Sequence, residues 1–240
     1  MQALRSRGFR DRLTNRWYRV LEHSPWLYTS HLQRKNPQAE VARRERDIVI
    51  AGYPASGNTF ARVSMLRTNP GIDVASHVHS WTQVALAVRL RLPVLVLLRA
   101  PVDAVSSMLA RFPHHDARTE LKSYARLYRR SLQYADNVVV ADFEDVTKRF
   151  GDVVTRLNSR FGTSFVPLSD DPRTLSDVLD AVDEHDRLVF GAAATLRTAR
   201  PDAAKEQRKD SIKQELRSPE LQPLVEDCER LYRKLLDAAR

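Results

Sequence analysis

Residues 47–59 read DIVIAGYPASGNT, and this segment predicts the centre of the fold. Its first half, residues 47–53, is a short apolar run rich in β-branched residues and is typical of a buried strand. A turn with proline and glycine follows, after which residues 58–68 carry apolar side chains at helical spacing. Backbone N–H groups in such a turn and at the start of the following helix attract an anion. The segment therefore predicts a phosphate-binding loop.

The loop differs from that of a nucleoside triphosphatase at one position. Those enzymes keep a lysine there, which reaches the outer phosphates, and the next hydroxyl binds magnesium. Here Asn58 stands at the lysine position and is followed by Thr59. The loop is therefore expected to hold one phosphate without magnesium-dependent triphosphate chemistry. An ordinary strand-to-helix turn, with glycine at a positive φ, is the alternative interpretation.

The rest of the chain predicts an α/β fold. Two further apolar runs, 93–101 and 137–143, predict strands, and a helical pattern follows each of them, the second at 144–162. Strands that alternate with helices indicate a parallel β-sheet flanked by helices on both faces. Residues 167–201 are interpreted as irregular with short helical pieces, and 219–240 as a C-terminal helix.

Length and charge limit the organisation and the partners. The 240 residues suit one sizeable domain, which we assign to residues 47–240. The Arg-rich residues 1–46, with aromatics such as Trp17 and Trp26, predict a basic helical extension that packs on this core; a membrane- or partner-binding arm is the alternative. A formal charge of +9 favours anionic partners. No nucleic-acid-binding motif is present, so no specific nucleic acid is expected.

The single cysteine, Cys228, excludes an internal disulfide framework and a CxxC metal site. No apolar run reaches the roughly 18 residues that a membrane span requires, and no signal-peptide pattern follows the N-terminus. We therefore expect a soluble, cytoplasmic protein without a transmembrane segment. The oligomeric state is left open, with a homodimer as one option.

Further polar residues follow the predicted strands. Arg99 stands at the end of the run 93–101, where parallel sheets bind ligands, and Ser106 and Ser107 fall in the next helix. An arginine and a hydroxyl placed there can bind a second phosphate. His77 and His79 lie near the end of a short predicted strand at 72–76, and either histidine could act as a base.

At this point the sequence resembles a family, the sulfotransferases that use 3′-phosphoadenosine 5′-phosphosulfate (PAPS). GYPASGNTF at 52–60 is similar to their phosphosulfate-binding loop, and RAPVDAVSS at 99–107 is similar to their second signature, R-N-P-x-D-x-x-x-S. Ser76-His77 resembles the [ST]-H pair that carries the catalytic base, and it stands 22 residues before Arg99. The resemblance implies a P-loop-like three-layer α/β/α sulfotransferase fold.

The resemblance also implies roles for particular residues. His77 would be the base, preferred over His79, and Arg99 with Ser107 would bind the 3′-phosphate of the nucleotide. Arg208 and Lys209 would cover that phosphate from a basic C-terminal stretch. The donor would be PAPS, the product 3′-phosphoadenosine 5′-phosphate (PAP), and no metal would be needed. The loop residues that would contact the phosphosulfate are Pro54, Ala55, Ser56, Gly57, Asn58, Thr59 and Phe60.

One departure from the family pattern bears on activity. The family usually has Lys or Arg after the proline of the loop, where this chain has Ala55. Arg62 or Lys205 could supply the missing charge. We therefore expect a PAPS-dependent sulfotransferase acting on a small-molecule, carbohydrate or lipid-linked acceptor. The alternatives are a catalytically impaired relative that still binds the nucleotide, and a small-molecule kinase with a degenerate P-loop.

Overall fold

A parallel β-sheet forms the centre of the protein. The computed structural model describes residues 24–36, 39–191 and 203–238. Its four strands are β1 (Ile48–Gly52), β2 (Val74–Ala75), β3 (Val94–Leu98) and β4 (Val139–Asp142). They lie in the order β2-β1-β3-β4, and every neighbouring pair is parallel. The prediction of a parallel sheet is confirmed.

Ten α-helices within the described residues surround the sheet and connect its strands. A short 3₁₀ helix, Leu132–Asn137, precedes β4. In chain order the α-helices are α1 (Pro25–Lys35), α2 (Asn58–Thr68), α3 (Trp81–Arg89), α4 (Pro101–Arg111), α5 (Ala117–Ser131), α6 (Phe143–Lys148), α7 (Phe150–Phe161), α8 (Pro172–Phe190), α9 (Ala203–Leu216) and α10 (Gln222–Ala238).

The helices form a layer on each face of the sheet. Successive side chains of a strand point to opposite faces, so Ile48 and Ile50 enter one core while Val49 and Ala51 enter the other. The first core is completed by apolar residues of α2, α6, α7 and α8, and the second by residues of α3, α4, α5, α9 and α10. The arrangement is the predicted α/β fold with helices on both sides of a parallel sheet.

Two segments differ from the sequence-based expectation. The helical pattern at 144–162 is divided into α6 and α7, because Arg149 leaves helical backbone geometry with φ −141° and ψ 45°. The break is accompanied by an edge-to-face contact of Phe150 with Phe60 of α2. The expectation of irregular structure from residue 167 onward is wrong for the 19-residue helix α8, which Asp171 caps by accepting a hydrogen bond from the Thr174 N–H.

The N-terminal extension is described only in part. Helix α1 packs against α3, whereas residues 1–23, and with them the aromatics Phe9, Trp17 and Tyr18, lie outside the described residues. The division into an extension at 1–46 and a domain at 47–240 stays a prediction.

Candidate functional site

The loop between β1 and α2 is a tight turn that ends at a helix N-terminus. Ala55 and Gly57 both have left-handed backbone conformations, with φ of 63° and 90°. The Ser56 N–H donates to the Tyr53 carbonyl at 3.2 Å, which closes the turn. No side chain of the described residues caps α2. The first N–H groups of this helix are therefore available to an anion, and the helix dipole favours negative charge there.

Asn58, at the position of the P-loop lysine, closes the loop from inside. Its side chain is buried, and its Nδ2 atom donates to the Tyr53 carbonyl at 2.9 Å. Gly52 lies directly beneath it, where a Cβ atom would be 2.9 Å from the Leu97 carbonyl oxygen and 3.3 Å from Asn58 Oδ1. The amide side chain therefore stabilises the loop, while the Asn58 backbone N–H belongs to the first turn of α2.

Two tyrosines of α5 hold the loop and the end of β3 in place. The Tyr128 hydroxyl accepts a hydrogen bond from the Tyr53 N–H at 3.0 Å and donates to the Leu97 carbonyl at 2.7 Å. The Tyr124 hydroxyl donates to the Arg99 carbonyl at 2.7 Å. These bonds fix the carboxyl ends of β1 and β3, where both predicted phosphate motifs begin. No motif of the sequence pointed to the two tyrosines.

A cavity of about 570 Å³ opens at this end of the sheet. The loop supplies most of one wall, whereas the side chain of Ser56 is fully buried and does not line the cavity. Phe60 also packs in the core below. The predicted site residues that line the cavity are Pro54, Ala55, Gly57, Asn58, Thr59, Phe60, His77 and Arg99.

His77 lies beside the start of α2 in the cavity wall. Its Nε2 atom is 3.4 Å from the Thr59 hydroxyl, and its Nδ1 atom is 2.7 Å from the hydroxyl of the buried Ser76. Ser76 also donates to Glu40 at 2.5 Å. The His77 backbone is left-handed, with φ 58°, a conformation that few non-glycine residues adopt. The structure thus brings the predicted base to the predicted phosphate loop.

His79 is held differently, although it also lines the cavity. Its Nδ1 atom donates to the Gly52 carbonyl at 2.7 Å. The residue is exposed and lines the cavity, while neighbouring protein atoms surround its ring closely enough to desolvate it. Burial of this kind lowers the pKa of His79 to about 4, against the opposite effect of the bond to Gly52. His79 is therefore neutral at pH 7 and anchored to the end of β1.

Helix α8 brings residues that the sequence interpretation had not assigned to a site. The His185 ring stacks on His77 with 5.9 Å between ring centroids. Burial, and then the neighbouring His77 and Arg62, lower the pKa of His185. The apolar side chains of Leu179 and Val182 form the adjacent wall. These residues were missed because their segment was interpreted as irregular.

Arg99 contacts the loop itself. Its Nη1 atom donates to the Ala55 carbonyl at 2.7 Å, and its guanidinium lies 4.1 Å from the centroid of the Phe143 ring. Burial lowers the pKa of the Arg99 guanidinium. Ser107 is buried within α4, does not line the cavity, and its hydroxyl has no hydrogen-bond partner among the described residues. The structure therefore places the Arg99 charge at Ala55.

The other basic residues proposed from the sequence differ in exposure and in ion pairing. Lys209 of α9 is mostly buried and forms an ion pair with Glu206 at 2.7 Å, whereas Arg208 is exposed. Arg62 binds Glu40 through Nε at 3.0 Å and Nη2 at 2.5 Å, so its charge is already compensated away from Ala55. The side chain of Lys205 lies outside the described residues.

One more guanidinium reaches the cavity. Arg111, at the end of α4, lines the wall, and burial lowers its pKa while the nearby Asp186 acts in the opposite direction.

Within the described residues the structure contains no group of three or more His, Cys, Asp or Glu side chains that could hold a metal ion. The helices described there also include none that combines the length and apolar character needed to cross a membrane.

Comparisons with known proteins give a likeness among solved structures but none among sequences. No protein-family model matches the chain, and no curated protein sequence matches it. Among solved structures, the chain is similar to mouse sulfotransferase SULT7A1 in complex with PAP, with a TM-score of 0.46 and 12% sequence identity over 78% of this chain and 91% of that chain. A likeness at this level carries no functional conclusion. The fold is a parallel α/β fold, and its candidate site combines a glycine-containing loop at a helix N-terminus with a histidine.

Proposed function

We propose that the chain binds PAPS and transfers its sulfuryl group to a hydroxyl or amine of an acceptor, with His77 as the base. One observation carries this proposal: the N-terminal end of α2 and the His77 imidazole share one cavity, with 3.4 Å between His77 Nε2 and the Thr59 hydroxyl. A phosphosulfate bound at the loop would have its sulfur beside a proton acceptor.

The transfer needs three contributions, and the site can supply each. The acceptor oxygen bonds to sulfur while the bond from sulfur to the 5′-phosphate oxygen breaks, so the two partners must be held in line. The acceptor proton passes to Nε2 of His77. Negative charge develops on the leaving phosphate oxygen, where the N–H groups of residues 57–59 and the positive end of α2 would stabilise it.

Arg99 supports the proposal in a way that the resemblance alone does not. The family pattern assigns this arginine to the 3′-phosphate. Its guanidinium, however, donates to the carbonyl of Ala55, the residue at which the family usually has a cation. We infer that Arg99 compensates for the missing loop cation. The remaining predicted candidates for the 3′-phosphate are Arg208, which is exposed, and Lys209, which is paired with Glu206, whereas Ser107 is buried and does not line the cavity.

The cavity volume of about 570 Å³ supports an acceptor that is a small molecule or the end of a larger one. Part of its wall is apolar, formed by Leu32, Leu179 and Val182, while Arg111 adds a positive charge. A sugar, a lipid-linked sugar or a phenol fits this combination. The Arg111 guanidinium favours an acceptor that carries hydroxyl groups or an anionic group, because guanidinium groups bind such oxygens through several donors.

A second candidate is a relative that binds the nucleotide without transfer. It is favoured by the absence of a side-chain cation at Ala55 and by the pairing of Arg62 with Glu40. The kinase alternative is disfavoured, because the Asn58 side chain is buried and bonded to the loop, so it cannot reach an outer phosphate. A kinase would also require Mg²⁺ and ATP.

The test is release of PAP from PAPS in the presence of a panel of acceptors that includes a neutral sugar, a uronic acid, a phenol and an amine. His77→Asn should lower transfer by about 10²–10⁴-fold, the usual contribution of a general base, with PAP affinity unchanged. His79→Asn is the matched comparison, since both rings line the cavity. Full activity of His77→Asn would refute the base assignment, and PAP binding without any turnover would favour the second candidate.

A further inference from the structure

A chain of three side chains leads from the N-terminal segment to the base. The Ser76 hydroxyl lies 2.5 Å from Glu40 Oε2 and 2.7 Å from His77 Nδ1. Glu40 Oε2 and His77 Nδ1 are themselves 4.0 Å apart, which is too far for a hydrogen bond. The buried serine therefore connects the carboxylate to the imidazole.

Glu40 is ionised, and this fixes the direction of both hydrogen bonds. Burial alone would raise its pKa, but the neighbouring His77, Arg62 and Ser76 outweigh that effect and lower the pKa of Glu40 to about 2. An ionised carboxylate only accepts hydrogen bonds. The single proton of the Ser76 hydroxyl must therefore point to Glu40, which leaves the serine oxygen to accept a hydrogen bond from His77 Nδ1.

We propose that Glu40 and Ser76 are positioning residues that keep the proton of neutral His77 on Nδ1 and leave Nε2 unprotonated toward the loop. A neutral imidazole carries one proton, so a donor at Nδ1 requires a bare Nε2. That nitrogen is the one that lies 3.4 Å from Thr59 at the start of α2. The tautomer of His77 follows from these contacts alone. Its role in catalysis rests on the proposed function.

Arg62 makes the two oxygens of Glu40 unequal, because it binds mainly Oε1 while Ser76 binds Oε2. Its Nε and Nη2 atoms both bind Oε1 of Glu40, at 3.0 and 2.5 Å, and Nε also lies 3.1 Å from Oε2. In Glu40→Gln the amide oxygen should stay on Arg62, because a guanidinium only donates. The amide NH₂ would then face Ser76. The Ser76 hydroxyl would accept from that NH₂ and donate to His77 Nδ1, which would transfer the histidine proton to Nε2.

The other titratable groups near His77 do not provide an alternative partner for Nδ1. His79 contacts it edge to face at 6.2 Å between centroids and uses its own Nδ1 on Gly52. His185 stacks on the ring at 5.9 Å and has a lowered pKa. Arg62 lies beyond Glu40. The contact to Nδ1 is therefore made by Ser76 alone within the part of the chain that the structure describes.

Nitrogen NMR of ¹⁵N-histidine-labelled full-length protein tests the relay, because protonated and bare ring nitrogens have well-separated shifts. The His77 signals are assigned by their loss in His77→Asn. When the His77 ring is neutral, wild-type protein should show a bare Nε2, Glu40→Gln should show the proton on Nε2, and Ser76→Ala should show a mixture of both tautomers. Glu226→Gln, at an exposed position of α10, is the matched control and should resemble wild type.

The results separate this inference from the proposed function. A wild-type His77 with its proton on Nε2, or an unchanged tautomer in both Glu40→Gln and Ser76→Ala, would overturn the relay. The measurement needs neither PAPS nor an acceptor, so the predicted tautomers in an inactive protein would refute the transferase proposal alone. In an active protein, Glu40→Gln should lower transfer by up to about 10⁴-fold, as loss of a tautomer-fixing carboxylate does elsewhere, with PAP affinity unchanged.

Discussion

Replacing Glu40 with glutamine should reduce the stability of the fold in a manner that depends on pH. The pKa of Glu40 is lowered from 4.5 to about 2. At about 1.36 kcal/mol per pKa unit, the full shift corresponds to about 3 kcal/mol. The side chain is 25% exposed, and solvent screening reduces this value, so we expect a loss of about 1–2 kcal/mol at pH 7.

The sign of the pH dependence follows from the lowered pKa. A carboxyl group with a lower pKa in the folded state stabilises the protein above its unfolded pKa, here about 4.5, and loses this contribution as the pH falls toward 2. Glutamine resembles protonated glutamate. The free energies of unfolding of wild type and Glu40→Gln should therefore differ most at pH 7, differ less at pH 3, and converge only as the pH falls through about 2.

Urea unfolding at pH 7, 5 and 3 measures this difference. Glu226→Gln is the control, because Glu226 is exposed and accepts a hydrogen bond from the uncharged Gln222 amide at 3.1 Å, and substitutions at exposed positions usually change stability by less than about 0.5 kcal/mol. Equal stability of wild type and Glu40→Gln at pH 7 would refute the reasoning. So would a difference that stays constant down to pH 3, since it could not come from ionisation of Glu40.

Three further substitutions test the loop. Arg99→Ala should weaken PAP binding by about 10–100-fold in a calorimetric titration, because it removes a charge-assisted bond worth about 1.5–3 kcal/mol; unchanged affinity would exclude Arg99 from the nucleotide site. Gly52→Ala should lower the free energy of unfolding by about 1–3 kcal/mol, since its Cβ would lie 2.9 Å from the Leu97 carbonyl oxygen, and unaltered urea unfolding would contradict this close approach. Ala55→Lys should raise PAP affinity less than about tenfold if Arg99 already supplies the charge, and a larger gain would show that the loop lacks a cation.

The sequence was sufficient to predict the sheet and the loop. β1 and β3 are runs of β-branched and aliphatic residues, and all of their side chains are buried, as expected for parallel strands covered on both faces. The loop was recognisable because its glycine spacing reflects a local requirement, a left-handed conformation at Gly57. Such local constraints are visible in a single sequence.

The remaining features depend on contacts between distant segments. Glu40 precedes Ser76 by 36 residues and belongs to no motif, so nothing in the sequence connected it with the histidine. Arg62 was proposed as the missing loop cation, but Glu40 binds it. Helix α8 was interpreted as irregular because polar residues dominate it; among its described apolar side chains, Val178 and Val182 are the two that are fully buried against the core. Tertiary packing decides such segments more than local propensity does.

The central claim is that the loop holds a 3′,5′-bisphosphorylated adenosine nucleotide. Calorimetric titration with PAP, beside ADP with and without Mg²⁺, tests it directly, because the two nucleotides differ mainly in the position of the second phosphate. We predict tight binding of PAP that Mg²⁺ does not alter, and weak binding of ADP. A preference for ADP with Mg²⁺, or no binding of either nucleotide, would contradict the claim.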